Sequence, residues 1–346
     1  MMRNWAGLPQ ELLELCSSNV PWLMLEHYQE TLRRECFCLS CKQVHRVLMP
    51  EAKGKTCFYS QGWVLTLSSD WELHMLKNSL SRHNYIIKLP NLSKFLDVKV
   101  SPRYDIFSTK FVVSASPTTS LDDYMVMVIY ERDGRLGLWK PGDKEWTEVN
   151  SPNPRNNIAD VIFYKGCFVA LDCDGRILRC DVNGPTPFQP QIIFKMPQRL
   201  IHWEHLDLVQ LTTGHPLLLI GAYLVQSATG FLLLVLRWEK CELTRTFRFQ
   251  VFEIDLNART CIEVKSLENM SLFLGFNSSF CLEVDEKHHI KPNCIYFADV
   301  SSPRLSEEGG GGDMIIYHIE DCTTELYFMA MTYDHSSLPL WIKPSF

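Results

Sequence analysis

A mainly β chain, folded as a β-propeller of about six blades behind a short N-terminal helix, is what this sequence predicts, and three observations predict it. Paired apolar runs recur around tight-turn residues from about residue 57 onward. Their turns fall roughly 40 to 60 residues apart, which fits one four-stranded blade per repeat with loop insertions. A leucine stripe introduced by a proline stands ahead of the first run. With 346 residues, 46% of them hydrophobic, the chain has material for one large domain and a small N-terminal element,.

The first element is residues Trp5 to Leu15, WAGLPQELLEL. Proline fixes its own φ and biases the preceding residue away from helix, so a helix starts with Pro9 in its first turn. Glu11 then stands near the positive helix end. Leu12, Leu13 and Leu15, with Trp5 and Leu8 ahead of them, form an apolar stripe that one short helix cannot bury alone. It packs either on its own domain or on a partner.

The hairpins follow in order. Runs 63–68 and 73–78 flank Ser69-Asp70, and runs 125–130 and 136–139 flank Asp133-Gly134. Runs 167–171 and 176–180 flank Asp174-Gly175, and runs 222–225 and 231–236 flank Thr229-Gly230. Glycine accepts the positive φ that tight hairpins require, and aspartate bonds its own backbone there. Further strands are expected over 247–254, 272–274 with 294–297, and 314–319 with 325–329. Five to seven blades can be fitted, and six is the expectation. A β-sandwich or barrel is the rival, because hairpins alone do not prove radial closure. Closure is expected from pairing of the last strand, Leu340 to Ile342, with 37–40 or 44–48, which would hide the sheet edges. Gly309 to Gly312 reads as a surface loop.

Composition excludes several classes. A net charge of −6 and no basic run longer than Arg33-Arg34 argue against nucleic acid as a partner,. The longest uncharged run, residues 208–236, is long enough for a bilayer, but His215-Pro216 and the polar 226–230 segment split it into short strands, so no membrane span is expected,. No secretory or transit segment is evident, so the 13 cysteines read as reduced thiols of a cytoplasmic or nuclear protein, and the sequons at Asn91, Asn269 and Asn277 carry no weight,.

Several ordered segments share one pattern. They are Pro21-Trp22-Leu23-Met24-Leu25, Gly62-Trp63-Val64-Leu65, Ile87-Lys88-Leu89-Pro90 and Asp160-Val161-Ile162-Phe163-Tyr164-Lys165-Gly166. Tyr223 to Ser227, Phe249 to Phe252, Phe273 to Ser279, Lys291 to Phe297 and Trp341 to Ser345 continue the series. The set resembles plant F-box proteins with a DUF295 domain, also called the KIB-type β-propeller, from about Pro21 to the C-terminus. The Leu-Pro-x-Glu-Leu-Leu stretch resembles the first helix of an F-box. The resemblance implies a partial F-box over 1–20 and a propeller domain over 21–346. It also implies a non-catalytic substrate adaptor of an SCF ubiquitin ligase, needing no cofactor. Trp5, Leu8, Pro9, Glu11, Leu12 and Leu13 would contact the Skp-type subunit and thereby cullin, and the propeller would hold a target protein. The Asp-x-x-Arg and Cys-x-x-Trp-Arg stretches that close an F-box do not follow. A weakened ligase contact, or a propeller module detached from ubiquitin transfer, is the alternative.

Cys36-x-Cys38-x-x-Cys41-x-x-x-His45 offers thiols and an imidazole for zinc. Alternation of Cys36, Cys38 and Ser40 along one strand face explains it without metal, so no metal site is expected. His288-His289 reads as a polar loop. Asp105, Asp160, Asp172, Asp299 and Asp313 are the acids a propeller enzyme could use, but no spacing groups them and turn chemistry explains aspartate in such chains. Trp71, Trp146 and Trp203 are either exposed hot-spot anchors or wedges between blades.

Overall fold

The computed structural model describes residues 20–25, 32–77, 85–94, 109–115, 124–131, 133–150, 157–182, 189–197, 200, 217–240, 247–275, 277, 279–285, 290–298, 314–328 and 339–343. The expected N-terminal helix lies outside them, as do Trp5, Leu8, Pro9, Glu11, Leu12 and Leu13. Asp105, Trp203, His288-His289, Asp299, the 309–312 glycines and Asp313 also lie outside.

Strands fill six sheets, arranged as the blades of a propeller. Blade I joins β1 (Trp22–Met24), β2 (Arg33–Cys38) and β3 (Gln43–Leu48) to the last strand, β25 (Leu340–Ile342). Blade II is β4 (Thr56–Ser60), β5 (Trp63–Leu67), β6 (Leu73–Lys77) and β7 (Tyr85–Leu89). Blade III is β8 (Lys110–Val113), β9 (Val126–Tyr130), β10 (Arg135–Trp139) and β11 (Thr147–Val149). Blade IV is β12 (Ile158–Tyr164), β13 (Cys167–Asp172), β14 (Arg176–Cys180) and β15 (Gln191–Lys195). Blade V is β16 (Leu217–Gln226), β17 (Leu232–Lys240), β18 (Phe247–Asp255) and β19 (Thr260–Val264). Blade VI has five strands in the order β21 (Phe280–Glu283), β20 (Met270–Leu274), β22 (Cys294–Ala298), β23 (Met314–His318) and β24 (Thr323–Phe328).

The innermost strands form a ring, with β25 beside β4, then β8, β12, β16 and β21 in turn. Six apolar clusters fill the six interfaces between neighbouring blades. Strand periodicity explains why so many strands read as unbroken apolar runs. In β17, Leu232, Leu234 and Leu236 face blade IV, while Leu233 and Val235 face blade VI. Successive side chains alternate between two buried faces, so both parities must be apolar. The uncharged 208–236 run is accounted for over its described part by β16 and β17, and among the described residues no helix is long and apolar enough to cross a membrane.

Closure differs from expectation. The last strand pairs with β1 through Trp22↔Ile342, Leu23↔Trp341 and Met24↔Leu340, and not with 37–40 or 44–48. The three-residue β1 has both edges to satisfy, and β2 occupies only one of them. The ring then locks between blades VI and I, where Trp341 donates Nε1–H to the Leu274 carbonyl at 2.8 Å and stands edge-on to Phe273.

Two further departures concern pairing. The hairpins at Ser69-Asp70, Asp133-Gly134 and Asp174-Gly175 join the second and third strands of their blades, but Thr229-Gly230 joins the first and second of blade V. Strands β20 and β22 pair in parallel, because β21 comes between them in sequence and takes the inner edge of β20.

Candidate functional site

The inner ring surrounds a cavity of about 540 Å³, the central channel of the propeller. Each innermost strand or its end contributes a wall, including Tyr59, Phe111, Val161, Leu224, Phe280 and Lys343. Among the described residues, three lysines line it, Lys77, Lys110 and Lys343, and none of the lining residues is an aspartate or glutamate. The Lys343 ammonium lies 4.3 Å from the Phe280 ring centre, and Lys77 lies 5.8 Å from that of Trp63. Burial lowers the Lys343 pKa from its ordinary value, an effect opposed by the neighbouring Cys281 thiol. Burial likewise pushes the Tyr59 phenol up to about 12. Its hydroxyl donates to the Lys343 carbonyl at 2.7 Å.

Polar side chains staple the ring across the channel. The Asn277 amide donates to the Tyr59 carbonyl at 2.6 Å and accepts from the Phe111 N–H at 2.9 Å, so one residue of blade VI holds blades II and III. Asp160 of blade IV pairs with Lys110 of blade III and accepts from the Leu224 N–H of blade V at 2.6 Å. Ser60 Oγ accepts from the Val113 N–H at 2.9 Å. Apart from the Lys110–Asp160 ion pair, each bond caps a backbone group that an inner edge strand would otherwise leave unpaired,.

The acids weighed as catalytic do not converge among the described residues. Asp160 is absorbed in the staple. Asp172 does turn chemistry, accepting from the N–H groups of Asp174 and Arg176 at 3.0 and 2.8 Å and from Arg176 Nε at 2.6 Å. Burial raises its pKa, against the lowering effect of those Arg176 bonds. Trp71 and Trp146 are wedges, not exposed anchors: both are buried in the cluster between blades II and III, and Trp146 donates to the Pro90 carbonyl at 2.9 Å.

One constellation does assemble. The β2–β3 turn brings Cys38, Cys41 and His45 together, with their ligand atoms all within 4.8 Å of one another. Cys41 Sγ is 3.0 Å from His45 Nε2. Lys42, at φ 56°, takes the left-handed conformation that turns the chain back into β3, and its N–H bonds the Cys38 carbonyl at 2.9 Å. Cys36 pairs with His45 in the strand register but is not in this group. The assembled group is the Cys-x-x-Cys-x-x-x-His subset, Cys38, Cys41 and His45, of the four residues that strand alternation alone would explain.

Comparison with known proteins bears on the whole chain. F-box protein At5g55150 of Arabidopsis thaliana is 25% identical over 274 residues, 75% of this chain and 69% of the relative. F-box protein At4g35733 of the same plant is 20% identical over 92% of this chain and 96% of its own length. F-box protein SKIP23, also from Arabidopsis thaliana, is 24% identical over 50% of this chain and 40% of its own. Such relatives and the propeller fold support an F-box-type adaptor role in general. The KIB1-4 beta-propeller family model matches residues 36–318, which runs from β2 in blade I to the end of β23 in blade VI, and the chain therefore belongs to that family.

Proposed function

We propose that this protein is a non-catalytic substrate adaptor of an SCF-type ubiquitin ligase, acting in the cytoplasm or nucleus. The propeller domain, 21–346, holds a target protein. The N-terminal segment, 1–20, holds the Skp-type subunit, and through it cullin, by Trp5, Leu8, Pro9, Glu11, Leu12 and Leu13. The observation that carries this reading is membership of a propeller family together with an F-box relative aligned along 92% of the chain. A ring of blades stapled across its channel suits the role physically, since it presents variable loops on a scaffold that does not move.

A specific observation favours a second reading, a protein-binding propeller uncoupled from ubiquitin transfer. Val20 is already buried in the propeller and β1 starts at Trp22, so only residues 16–21 separate the WAGLPQELLEL stretch from blade I. That length cannot hold the remaining helices of an F-box. Buried interface anchors carry roughly 2 kcal/mol or more each, so losing those of two helices weakens the contact by several such steps. Co-precipitation of the Skp-type subunit and cullin with the intact chain and with a Leu12→Asp/Leu13→Asp variant separates the two. Recovery that the double variant abolishes is the adaptor outcome. Absence of both subunits from the wild-type precipitate overturns it.

A further inference from the structure

We propose that Cys38, Cys41 and His45 form a zinc site at the tip of the β2–β3 hairpin, with solvent as the fourth ligand. Nothing in the adaptor reading uses these residues. They come from a single hairpin, at the end of β2, in the turn and in β3, so no large rearrangement is needed to bring them together. Tetrahedral zinc with two thiolates places the sulfurs roughly 3.8 Å apart, given bonds of about 2.3 Å. A group already within 4.8 Å reaches that spacing by small rotamer shifts.

The chemistry selects the ion. Two soft thiolates and an imidazole suit zinc and disfavour magnesium or calcium, which take oxygen ligands. On binding, each thiol releases its proton to solvent and the imidazole binds as the neutral base, so the divalent ion with two thiolates carries no net charge. A neutral set suits Cys38, which is fully buried,. Cys41 is partly exposed, which gives the ion an entry path and a place for water. The Trp22 ring, 5.2 Å from that of His45, limits how the imidazole can turn. Trp22 lies on β1, the strand that closes the ring, so the ion would fix the hairpin tip on the blade that joins the chain ends.

Cobalt titration of the reduced, metal-stripped full-length protein tests this. One equivalent is expected to bind with a thiolate-to-cobalt charge-transfer band and strong tetrahedral d–d bands, both abolished by equimolar zinc. Cys41→Ser and His45→Gln should each weaken binding at least about tenfold, while Cys322→Ser, a distant exposed thiol, leaves it unchanged. Bands that survive in both ligand variants, or a spectrum without thiolate charge transfer, overturn the site. Alkylation of the wild type gives a readout independent of how the variants fold. Equimolar zinc should protect Cys41 and spare Cys322, and labelling of Cys41 at the same rate with and without zinc overturns the proposal, as does a Cys38–Cys41 disulfide that persists in reductant.

Discussion

At the scale of single residues, the polar staples decide how the channel holds together. Asn277 is 1% exposed and serves backbone groups of two other blades. Alanine there would leave a buried carbonyl on Tyr59 and a buried N–H on Phe111, each costing ~1–3 kcal/mol. We expect Asn277→Ala to lower unfolding free energy by about 3 kcal/mol, read as a drop in the urea midpoint with the slope unchanged. A loss below ~1 kcal/mol would mean water replaces the amide and the staple is dispensable. None of this role was legible in sequence, although Asn277 and Asp160 both stand inside segments that carried the family resemblance. Asn277 meets Tyr59 across 218 positions and Phe111 across 166, and Asp160 meets Lys110 across 50. No local pattern encodes a bond at such separations. Aspartate in a strand-rich chain looks the same whether it serves a turn, as Asp172 does, or a distant blade, as Asp160 does.

Hairpins show which part of an element the sequence encodes. Gly134, Gly175 and Gly230 all take positive φ, as their turns require, and that chemistry is local enough to read directly,. Which strands a turn joins is not local, which is why four similar turns proved to hold two different places in their blades. The glycines also differ in what surrounds them. A Cβ on Gly134 would fall 2.4 Å from the Ile158 N and 2.5 Å from its O, at the start of β12 in the next blade, whereas one on Gly230 would meet nothing within 4 Å. The Asp133-Gly134 turn is thus also a docking point, and its Gly134 carbonyl accepts from the Ile158 N–H at 3.0 Å. Gly230→Ala should cost about 1 kcal/mol, the price of left-handed φ with a Cβ. Gly134→Ala must in addition displace a backbone segment and should cost at least ~2 kcal/mol more. Equal thermal shifts for the two variants would show that blade IV can move aside without loss. Outer strands display the opposite condition: Val44, Ile86, Ile192, Ile262 and Leu326 are exposed one to a blade on β3, β7, β15, β19 and β24. Five separate blade rims carry them, which disperses apolar surface that a flat sheet would gather into a patch.

For the molecule as a whole, a propeller of about six blades was legible because it follows from hairpin spacing, whereas the order of strands within blades and the closing pair were not. β1 is only three residues long, below the length at which alternation can be recognised, and its identity as the partner of β25 depends on the whole ring having closed. Closing the ring buries thiols and phenols throughout, and this sets an alkaline limit on stability. Burial pushes Cys173, Cys261 and Cys294 up to about 11 and Cys180 to about 12, from an ordinary 9.0. Tyr59 rises from 10.0 to about 12, and burial also raises Tyr130, Tyr296 and Tyr317. For each of these acids the folded form keeps its proton over a range where the unfolded chain has released it. The unfolded state then binds fewer protons, so stability falls as pH rises from the unfolded value toward the folded one. Lys343 acts in the opposite sense: its lowered pKa means the unfolded chain binds more protons below the ordinary 10.5, and stability gains as pH climbs through that window,. One lysine opposes many thiols and phenols, so the net slope is downward. Cys180 and Cys294, each at most 2% exposed, should each remove about 1.4 kcal/mol per pH unit inside their windows,. Urea unfolding in reductant is therefore expected to give a midpoint that does not respond to these groups between about pH 7 and 8, falls by about pH 10, and falls more steeply once the tyrosines join. A midpoint at about pH 10 equal to or above the neutral value would mean that water reaches these side chains in the folded protein and that the blade interfaces are not sealed.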